Sequence, residues 1–114
     1  MAKPLNVRRG TAIALAASFI LAGAAQAAEH FVDQRDLMFV PQAMTIKAGD
    51  TVRFTDSDRI THNITIVNPD GTTEDKGMST FSQHIVVQFD KPGTFKVICR
   101  IHPTMNMTIT VEKP

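Results

Sequence analysis

The chain contains no Trp and no Tyr, and Cys99 is its only cysteine. A single cysteine cannot form an intramolecular disulfide, so this common way of stabilising a small exported domain is excluded. Twelve basic and eleven acidic residues nearly cancel, and no basic patch with interleaved aromatic residues is present. This composition excludes the pattern typical of nucleic-acid-binding proteins.

The N-terminal 27 residues have the pattern of a cleaved export signal. Basic residues precede an apolar stretch from Thr11 to Ala25, and Ala25-Gln26-Ala27 is a small-residue peptidase site. The stretch is too short and too rich in alanine for a membrane span, and no later segment is apolar enough to be one. We therefore predict cleavage after Ala27 and a periplasmic protein without a membrane anchor. The Arg8-Arg9 pair leaves both the general and the twin-arginine export routes open.

Without the signal (residues 1–27), 87 of the 114 residues remain, with nine basic and eleven acidic side chains. A chain of that length forms one small domain with a thin core, to whose stability a bound metal would contribute. We predict that residues 28–114 form a single monomeric domain.

Short β-rich runs alternate with turn signals, and no segment has a helical period. Seven to eight short strands predict an all-β Greek-key sandwich of two antiparallel sheets. The polar stretch Asn68 to Ser79 predicts a loop. The two-residue side-chain period predicts that His62 heads an inward row and Cys99 ends another, whereas His84 faces solvent. The remaining inward positions predicted in this way are Val52, Phe54, Ile64, Ile66, Ile85, Val87, Phe89, Phe95, Val97, Met107, Ile109 and Val111.

Cys99, His102 and Met105 lie within seven residues of one another and offer a thiolate, an imidazole and a thioether. With His62 they would form a His2Cys site with a weak axial methionine, a ligand set that favours copper, although zinc can bind the same nitrogens and thiolate. An inert buried thiol or an intermolecular crosslink would also explain a lone cysteine, but its neighbours favour a metal ligand. Met107 is the alternative axial ligand. We prefer Met105 because Met107 falls where the closing strand begins with an inward apolar side chain.

Two of the four histidines remain outside this set, His30 and His84. Cleavage after Ala27 would place His30 third from a free amino terminus in Ala28-Glu29-His30, which can bind Cu(II) in a square plane. The alternative is that His30 simply belongs to the first strand.

Four segments together resemble the cupredoxins, the small blue copper proteins, and the ligand-loop spacing is that of the amicyanin group rather than the longer spacing of plastocyanin and pseudoazurin. These segments are Gly49-Asp50-Thr51-Val52, His62-Asn63, Gly93-Thr94-Phe95 and Cys99-x-x-His102-Pro103-x-Met105. The resemblance implies a sandwich that holds one type 1 copper at one end and carries single electrons between redox partners such as a dehydrogenase and a c-type cytochrome. It also implies that Asn63 connects the two ligand-bearing segments and lies near the thiolate.

In the family, the ligand histidine that corresponds to His102 exposes one edge of its ring at an apolar end of the sandwich. Here Ile101, Pro103 and Met38 would surround that ring. Arg100 departs from the small residue common in the family, and a cation there would either steer an acidic partner or raise the copper potential.

Four protein ligands leave no open coordination position, and no acid–base pair or nucleophile is evident, so we expect a carrier rather than an enzyme. The alternative function is that of a periplasmic copper chaperone or copper-resistance protein. The six methionines of the chain are the reason for this alternative, because methionine thioethers bind copper.

Overall fold

A computed structural model of the protein describes residues 2–4, 10 and 26–114. The apolar stretch of the predicted export signal lies outside the described residues. Within them no helix is long and apolar enough to cross a membrane. The described chain forms nine strands: β1 (Glu29–Arg35), β2 (Met38–Val40), β3 (Ala43–Lys47), β4 (Thr51–Asp56), β5 (His62–Val67), β6 (Thr73–Ser79), β7 (His84–Gln88), β8 (Gly93–Ile98) and β9 (Asn106–Glu112).

The strands form a four-stranded sheet in the order β2-β1-β4-β7 and a five-stranded sheet in the order β3-β9-β8-β5-β6. The predicted all-β sandwich is confirmed. Its sheets are mixed rather than purely antiparallel, because β1 pairs in parallel with β4 and β3 in parallel with β9. Both parallel pairs join strands that are not consecutive in sequence. A two-residue period in the sequence indicates which face of the sheet each side chain takes. It does not indicate whether the neighbouring strand runs parallel or antiparallel.

The predicted loop from Asn68 to Ser79 is wrong over its second half. Thr73–Ser79 forms β6, which pairs antiparallel with β5 across an irregularity at Ile64/Thr65. Most of β6 is exposed because the strand lies at the edge of its sheet. An edge strand with little buried surface has no apolar alternation, so its sequence resembled that of a polar loop.

The predicted inward rows form the core between the sheets. Val52, Phe54, Val97 and Ile109 are fully buried, and His84 is exposed as predicted. Strand β5, between β8 and β6 in its sheet, is buried on both faces from His62 to Ile66. The outward face of β5 is therefore covered, and its polar side chains must find partners within the protein.

Four connections meet at one end of the sandwich, which we call the loop end. These are the β1–β2 turn (36–37), the β4–β5 loop (57–61), the β6–β7 loop (80–83) and the β8–β9 loop (99–105). Asp58 accepts hydrogen bonds from the backbone of the β1–β2 turn, and the amide of Ser82 donates to the carbonyl of Asp56 at 2.9 Å. The loop end contains all four predicted metal ligands.

Candidate metal centre

His62 is the first residue of β5, and its side chain is completely buried. Its Nε2 donates a hydrogen bond to Oδ2 of Asp58 at 2.8 Å. A carboxylate oxygen can only accept, so this contact places the ring proton on Nε2 and leaves a lone pair on Nδ1. Nδ1 is buried and has no hydrogen-bond partner. A buried nitrogen with a free lone pair is unusual in a folded protein and is the state in which imidazole binds a metal.

Asp58 is a part of the centre that the sequence analysis missed. Besides His62, its carboxylate accepts from the amides of Asp36 at 2.9 Å and Leu37 at 3.1 Å. Burial acts to raise the pKa of Asp58, but the hydrogen bonds from His62, Leu37 and Asp36 outweigh it and lower the pKa below 3.8. Asp58 is therefore ionised at neutral pH. No local signal distinguishes it from Asp56 in the same segment. Its contact with His62 is only four residues away, but the two backbone amides that hold the carboxylate come from the β1–β2 turn.

Cys99 follows β8, is buried, and is a free thiol. The amide of Asn63 donates to its Sγ at 3.3 Å. The thiolate is the form of cysteine that binds metals.

The side chain of Asn63 connects three segments around Cys99. Its amide nitrogen donates to Asp75 and to the carbonyl of Gly77 in β6, both at 3.0 Å. Its oxygen accepts from Thr65 at 2.7 Å and from the amide of Arg100 at 3.3 Å. Asn63 thus fixes β5, β6 and the β8–β9 loop relative to one another, the role that the cupredoxin resemblance implied for it.

His102 and Met105 lie in the tight β8–β9 loop. The amide of Met105 donates to the carbonyl of His102 at 2.9 Å, and the amide of Cys99 donates to the carbonyl of Met105 at 3.2 Å. The His102 ring lies 5.1 Å from the His62 ring, centroid to centroid, at an interplanar angle of 74°. Its Nε2 is buried without a hydrogen-bond partner, although the residue as a whole is half-exposed.

Met105 and Met107 are both buried in the same hydrophobic cluster, but they lie on different elements. Met105 lies in the loop that carries Cys99 and His102. Met107 lies in β9, where it pairs with Val97 and packs in the core between the sheets.

The donor set fits a soft metal ion. Two buried imidazole nitrogens without partners, a buried thiol and a buried thioether lie in two adjacent segments. In the described part of the chain, no three His, Cys, Asp or Glu side chains already form a group that could hold a metal ion.

Comparison with known proteins identifies the family. The profile of copper-binding proteins of the plastocyanin/azurin family matches residues 26–112. The chain belongs to this family. It is 31% identical to plastocyanin from Ulva prolifera over 90 residues, which cover 70% of this chain and 92% of that protein. It is 33% identical to amicyanin-alpha from Methylorubrum extorquens over 78 residues, which cover 67% of this chain and 66% of that protein.

The structure is similar to that of amicyanin from Paracoccus versutus, with a TM-score of 0.68 and 26% identity over 77% of this chain and 83% of that one. The cupredoxin fold and copper as the cofactor are thereby confirmed. Family membership agrees with a carrier of electrons rather than an enzyme.

In this plastocyanin/azurin-family protein a buried polar network lies behind His62. Ser79, which pairs with His62 between β5 and β6, donates to Asp56 at 3.1 Å and accepts from Gln34 at 3.1 Å. Burial raises the pKa of Asp56. The sequence analysis assigned no role to these residues, because β1, β4 and β6 bring them together from distant positions.

His30 and Ala28 lie far from the metal centre and share one carboxylate. His30 Nε2 donates to Asp50 at 2.8 Å, and the backbone nitrogen of Ala28 donates to the other oxygen of Asp50 at 2.9 Å. The backbone of His30 belongs to the β1–β4 ladder. A square-planar copper site would need the Ala28 nitrogen, which Asp50 binds, and the backbone of His30, which belongs to this ladder, so the structure favours the alternative in which His30 is a strand residue.

Proposed function

We propose that this protein is a periplasmic one-electron carrier that holds one type 1 copper between His62, Cys99, His102 and Met105. We also propose that residues 1–27 are removed on export. The observation that carries the proposal is the pair of buried, unpartnered imidazole nitrogens on His62 and His102 beside the thiol of Cys99. Copper, when bound, supplies the one-electron exchange between Cu(I) and Cu(II).

The protein's own contribution is a site whose shape depends little on the metal's charge. His62 is held by Asp58, and the amide of Asn63 is directed at Cys99. Because these contacts hold two ligands in place from outside, we expect little rearrangement when an electron is gained or lost. Such preorganisation favours rapid outer-sphere transfer.

His102 is the proposed route for the electron. It is the half-exposed imidazole of the pair, whereas His62 is completely buried. Ile101 and Met38 at the loop end are exposed apolar residues, as expected for a surface that a redox partner covers. We propose that such partners are redox proteins, for example a dehydrogenase as donor and a c-type cytochrome as acceptor.

The experiment that tests this function is to produce the full chain in a bacterial host, isolate the exported protein and add one equivalent of Cu(II). An intense visible thiolate-to-copper band and narrow copper hyperfine splitting are expected, both lost in Cys99→Ser. Mass spectrometry of the same sample is expected to show a chain that starts at Ala28. A colourless protein with ordinary tetragonal Cu(II) would contradict the proposed site.

The alternative function, that of a copper chaperone, predicts exposed methionines grouped in one place. In the described structure the exposed methionines Met38 and Met78 lie on different strands. Met38 lies on β2 at the edge of the four-stranded sheet, beside β9, and Met78 lies on β6, beside β7. A strong Cu(I) chelator distinguishes the functions, since a chaperone releases its copper readily and a carrier retains it through repeated redox cycles.

A further inference from the structure

Asp50 is an almost completely buried carboxylate at the end of the sandwich opposite the loop end. It precedes β4, which begins at Thr51 and runs towards the loop end, and it is only 6% exposed. Its Oδ1 accepts a hydrogen bond from the backbone nitrogen of Ala28 at 2.9 Å. Its Oδ2 accepts from the backbone amide of Lys47 at 3.0 Å and from Nε2 of His30 at 2.8 Å. Both oxygens therefore have partners, and these partners come from both sheets.

A carboxylate this buried usually has a cationic partner, and Asp50 has no permanent one among the described residues. Neither a lysine nor an arginine of that part of the chain forms an ion pair with it. Lys47 bonds it through its backbone rather than through its ammonium group. His30 is a cation only when its imidazole is protonated. The surrounding side chains thus balance the negative charge of Asp50 only in part.

The backbone nitrogen of Ala28 changes its chemistry when the export signal is removed. In the full chain it is a peptide nitrogen with one hydrogen and no charge. Cleavage after Ala27 would convert it into an ammonium group with three hydrogens and a positive charge at neutral pH. The residue already lies in place, because its carbonyl accepts from the amide of Thr51 at 3.0 Å. Gln26, Ala27 and Ala28 are exposed and precede β1, so the bond to be cut lies outside the sheets.

We propose that cleavage after Ala27 creates an ion pair between the new terminal ammonium group of Ala28 and the carboxylate of Asp50, so that processing itself stabilises the fold. This inference rests on the proposed removal of residues 1–27. In the precursor the contact is a hydrogen bond from a neutral amide, whereas hydrogen bonds between charged groups are shorter and roughly twice as strong. The mature domain therefore gains an interaction that the precursor lacks, at the point where β1 begins.

The position of Asp50 fits a chain that starts at Ala28 and no neighbouring start. Cleavage after Ala25 would leave the nitrogen of Ala28 as a neutral amide, with the ammonium group two residues earlier in the chain. Cleavage after Ala28 would remove that nitrogen and place the ammonium group on Glu29, within the β1–β4 ladder. Cleavage after Ala27 places the charge 2.9 Å from Oδ1 of Asp50.

The ion pair would act at a junction between the two sheets. Lys47 ends β3 in the five-stranded sheet, and Ala28 leads into β1 in the four-stranded sheet. The carbonyl of Asp50 also accepts from the amide of Phe89, which follows β7, at 2.9 Å. A small domain with a single cysteine has no intramolecular disulfide to hold such a junction, so a bond formed at processing is a physical substitute for one.

The ion pair makes the added stability sensitive to alkaline pH. An exposed terminal amine titrates near pH 8, and a neighbouring carboxylate raises the pKa of the amine. A group whose pKa rises on folding stabilises the protein below its unfolded pKa, and this contribution is lost as pH rises through the folded value. We therefore expect the full contribution at about pH 7 and none by about pH 10.5.

Other charged side chains lie on the elements around this site without bonding to it. Glu29 in β1 pairs with Arg53 in β4. The others lie at the ends of β3 and β9 or directly after β7, and in the described structure their side chains form no hydrogen bond with Asp50 or Ala28: Lys47, Asp90, Lys91, Glu112 and Lys113. A comparison of chains that differ only at the terminus cancels their contributions.

The test compares exported, metal-free proteins. Insertion of Gly-Ser between Ala27 and Ala28 keeps the peptidase site and gives a mature chain in which the Ala28 nitrogen is again an amide. We expect this insertion to raise the unfolding equilibrium constant about 3- to 10-fold in urea unfolding at about pH 7. In Asp50→Asn the same insertion should change it less than about 2-fold. Asp90→Asn, an exposed carboxylate after β7, is the matched control and should retain the full effect.

A titration of the native terminus decides the proposal even where Asp50→Asn does not fold. NMR of the mature protein is expected to show the Ala28 amine titrating at or above about pH 9, against about pH 8 for an exposed terminus. An ordinary value would overturn the ion pair. So would an insertion effect that is equal in the wild type and in Asp50→Asn.

The same samples separate this inference from the proposed functions. A mature chain that starts elsewhere than at Ala28 in mass spectrometry would overturn the proposed cleavage and the ion pair together. We expect the visible copper band to be unchanged by the insertion and by Asp50→Asn, because the metal centre lies at the loop end. Absence of that band from the wild type would contradict the carrier function alone.

Discussion

The backbone amide of Asn63 points at the sulfur of Cys99, 3.3 Å away, and the residue just before it is His62. One dipeptide at the start of β5 thus supplies a proposed metal ligand and a hydrogen bond to a second one 37 residues further along the chain. The Asn63 side chain adds four hydrogen bonds that fix the surrounding segments. We therefore expect metal binding at the proposed site to be coupled to the packing of β5 against β6 and the β8–β9 loop.

Asn63→Ala removes those side-chain contacts and keeps the backbone amide. We expect copper affinity to fall about 10- to 100-fold, as is usual when a residue supporting metal ligands is lost. The free energy of unfolding should fall by about 1–3 kcal/mol, because buried partners lose their hydrogen bonds. Asn68→Ala is the control, since that side chain bonds Thr72 in a distant turn. Competition with a chelator and urea unfolding measure the two effects, and equal behaviour of the two variants would contradict the assigned role.

Asp58→Ala leaves the proton of His62 Nε2 without its acceptor and frees the β1–β2 turn. We expect copper affinity to fall about 10- to 100-fold, because the imidazole loses its orientation and its fixed tautomer. Asp70→Ala is the matched control, since Asp70 also accepts backbone and hydroxyl hydrogen bonds, from Thr72, but far from the centre. Copper titration followed by the visible band checks the prediction. Wild-type affinity in Asp58→Ala would show that the carboxylate does not support His62.

Met105→Gln should change the copper spectrum and lower the reduction potential, because an amide oxygen is a harder axial donor than a thioether. Met107→Leu should leave both unchanged and cost less than about 1.5 kcal/mol of stability, as a nearly volume-conserving change in the core. Spectroscopy and voltammetry of the two variants decide between the methionines. The reverse pattern would make Met107 the axial ligand.

Gly93→Ala should be strongly destabilising. Gly93 has φ of 145°, and a Cβ built there would lie 2.7 Å from Cγ of Pro69. Gly71→Ala is the control, because Gly71 also has a positive φ, of 86°, but nothing lies within 4 Å of the added carbon. We expect Gly93→Ala to cost about 1–3 kcal/mol and to exceed the control, since it adds a steric clash to backbone strain. Equal losses in urea unfolding would mean that Pro69 moves aside without cost.

Asp50 makes the stability of the metal-free protein depend on acid pH. Its hydrogen bonds with His30, and with the amides of Ala28 and Lys47, lower its pKa from 3.8 to about 2. A carboxyl group whose pKa falls on folding stabilises the protein above its unfolded pKa, and that contribution is lost as pH falls through the folded value. We therefore expect the free energy of unfolding to decrease between about pH 4 and pH 2.

Asp50→Asn should be less stable at neutral pH and should show a shallower decrease over the same range. Asp90→Asn, an exposed carboxylate in the β7–β8 turn, is the control and should retain the wild-type slope. Urea unfolding at stepwise decreasing pH measures the three slopes. A wild-type slope in Asp50→Asn would assign the acid sensitivity to other groups.

The sequence by itself determined the features that depend on short spacings. Side chains alternate across a strand, so Val52 with Phe54, and Val97 with Cys99, were assigned to the core from their own segments. The proposed ligand loop could also be predicted from the sequence, because Cys99, His102 and Met105 lie within seven residues of one another.

Tertiary structure decided whatever depends on neighbours that are distant in sequence. It alone showed the β1–β2 turn as a partner of Asp58, Asp50 as the partner of His30, and β6 as a strand, since pairing rather than apolar pattern creates an edge strand. It also placed Arg35, Arg59 and Arg100 at the loop end, although they are far apart in sequence. Local periodicity fixes which way a side chain faces, whereas the contacts that tune a site form only when separate strands are brought together by the burial of the core they share.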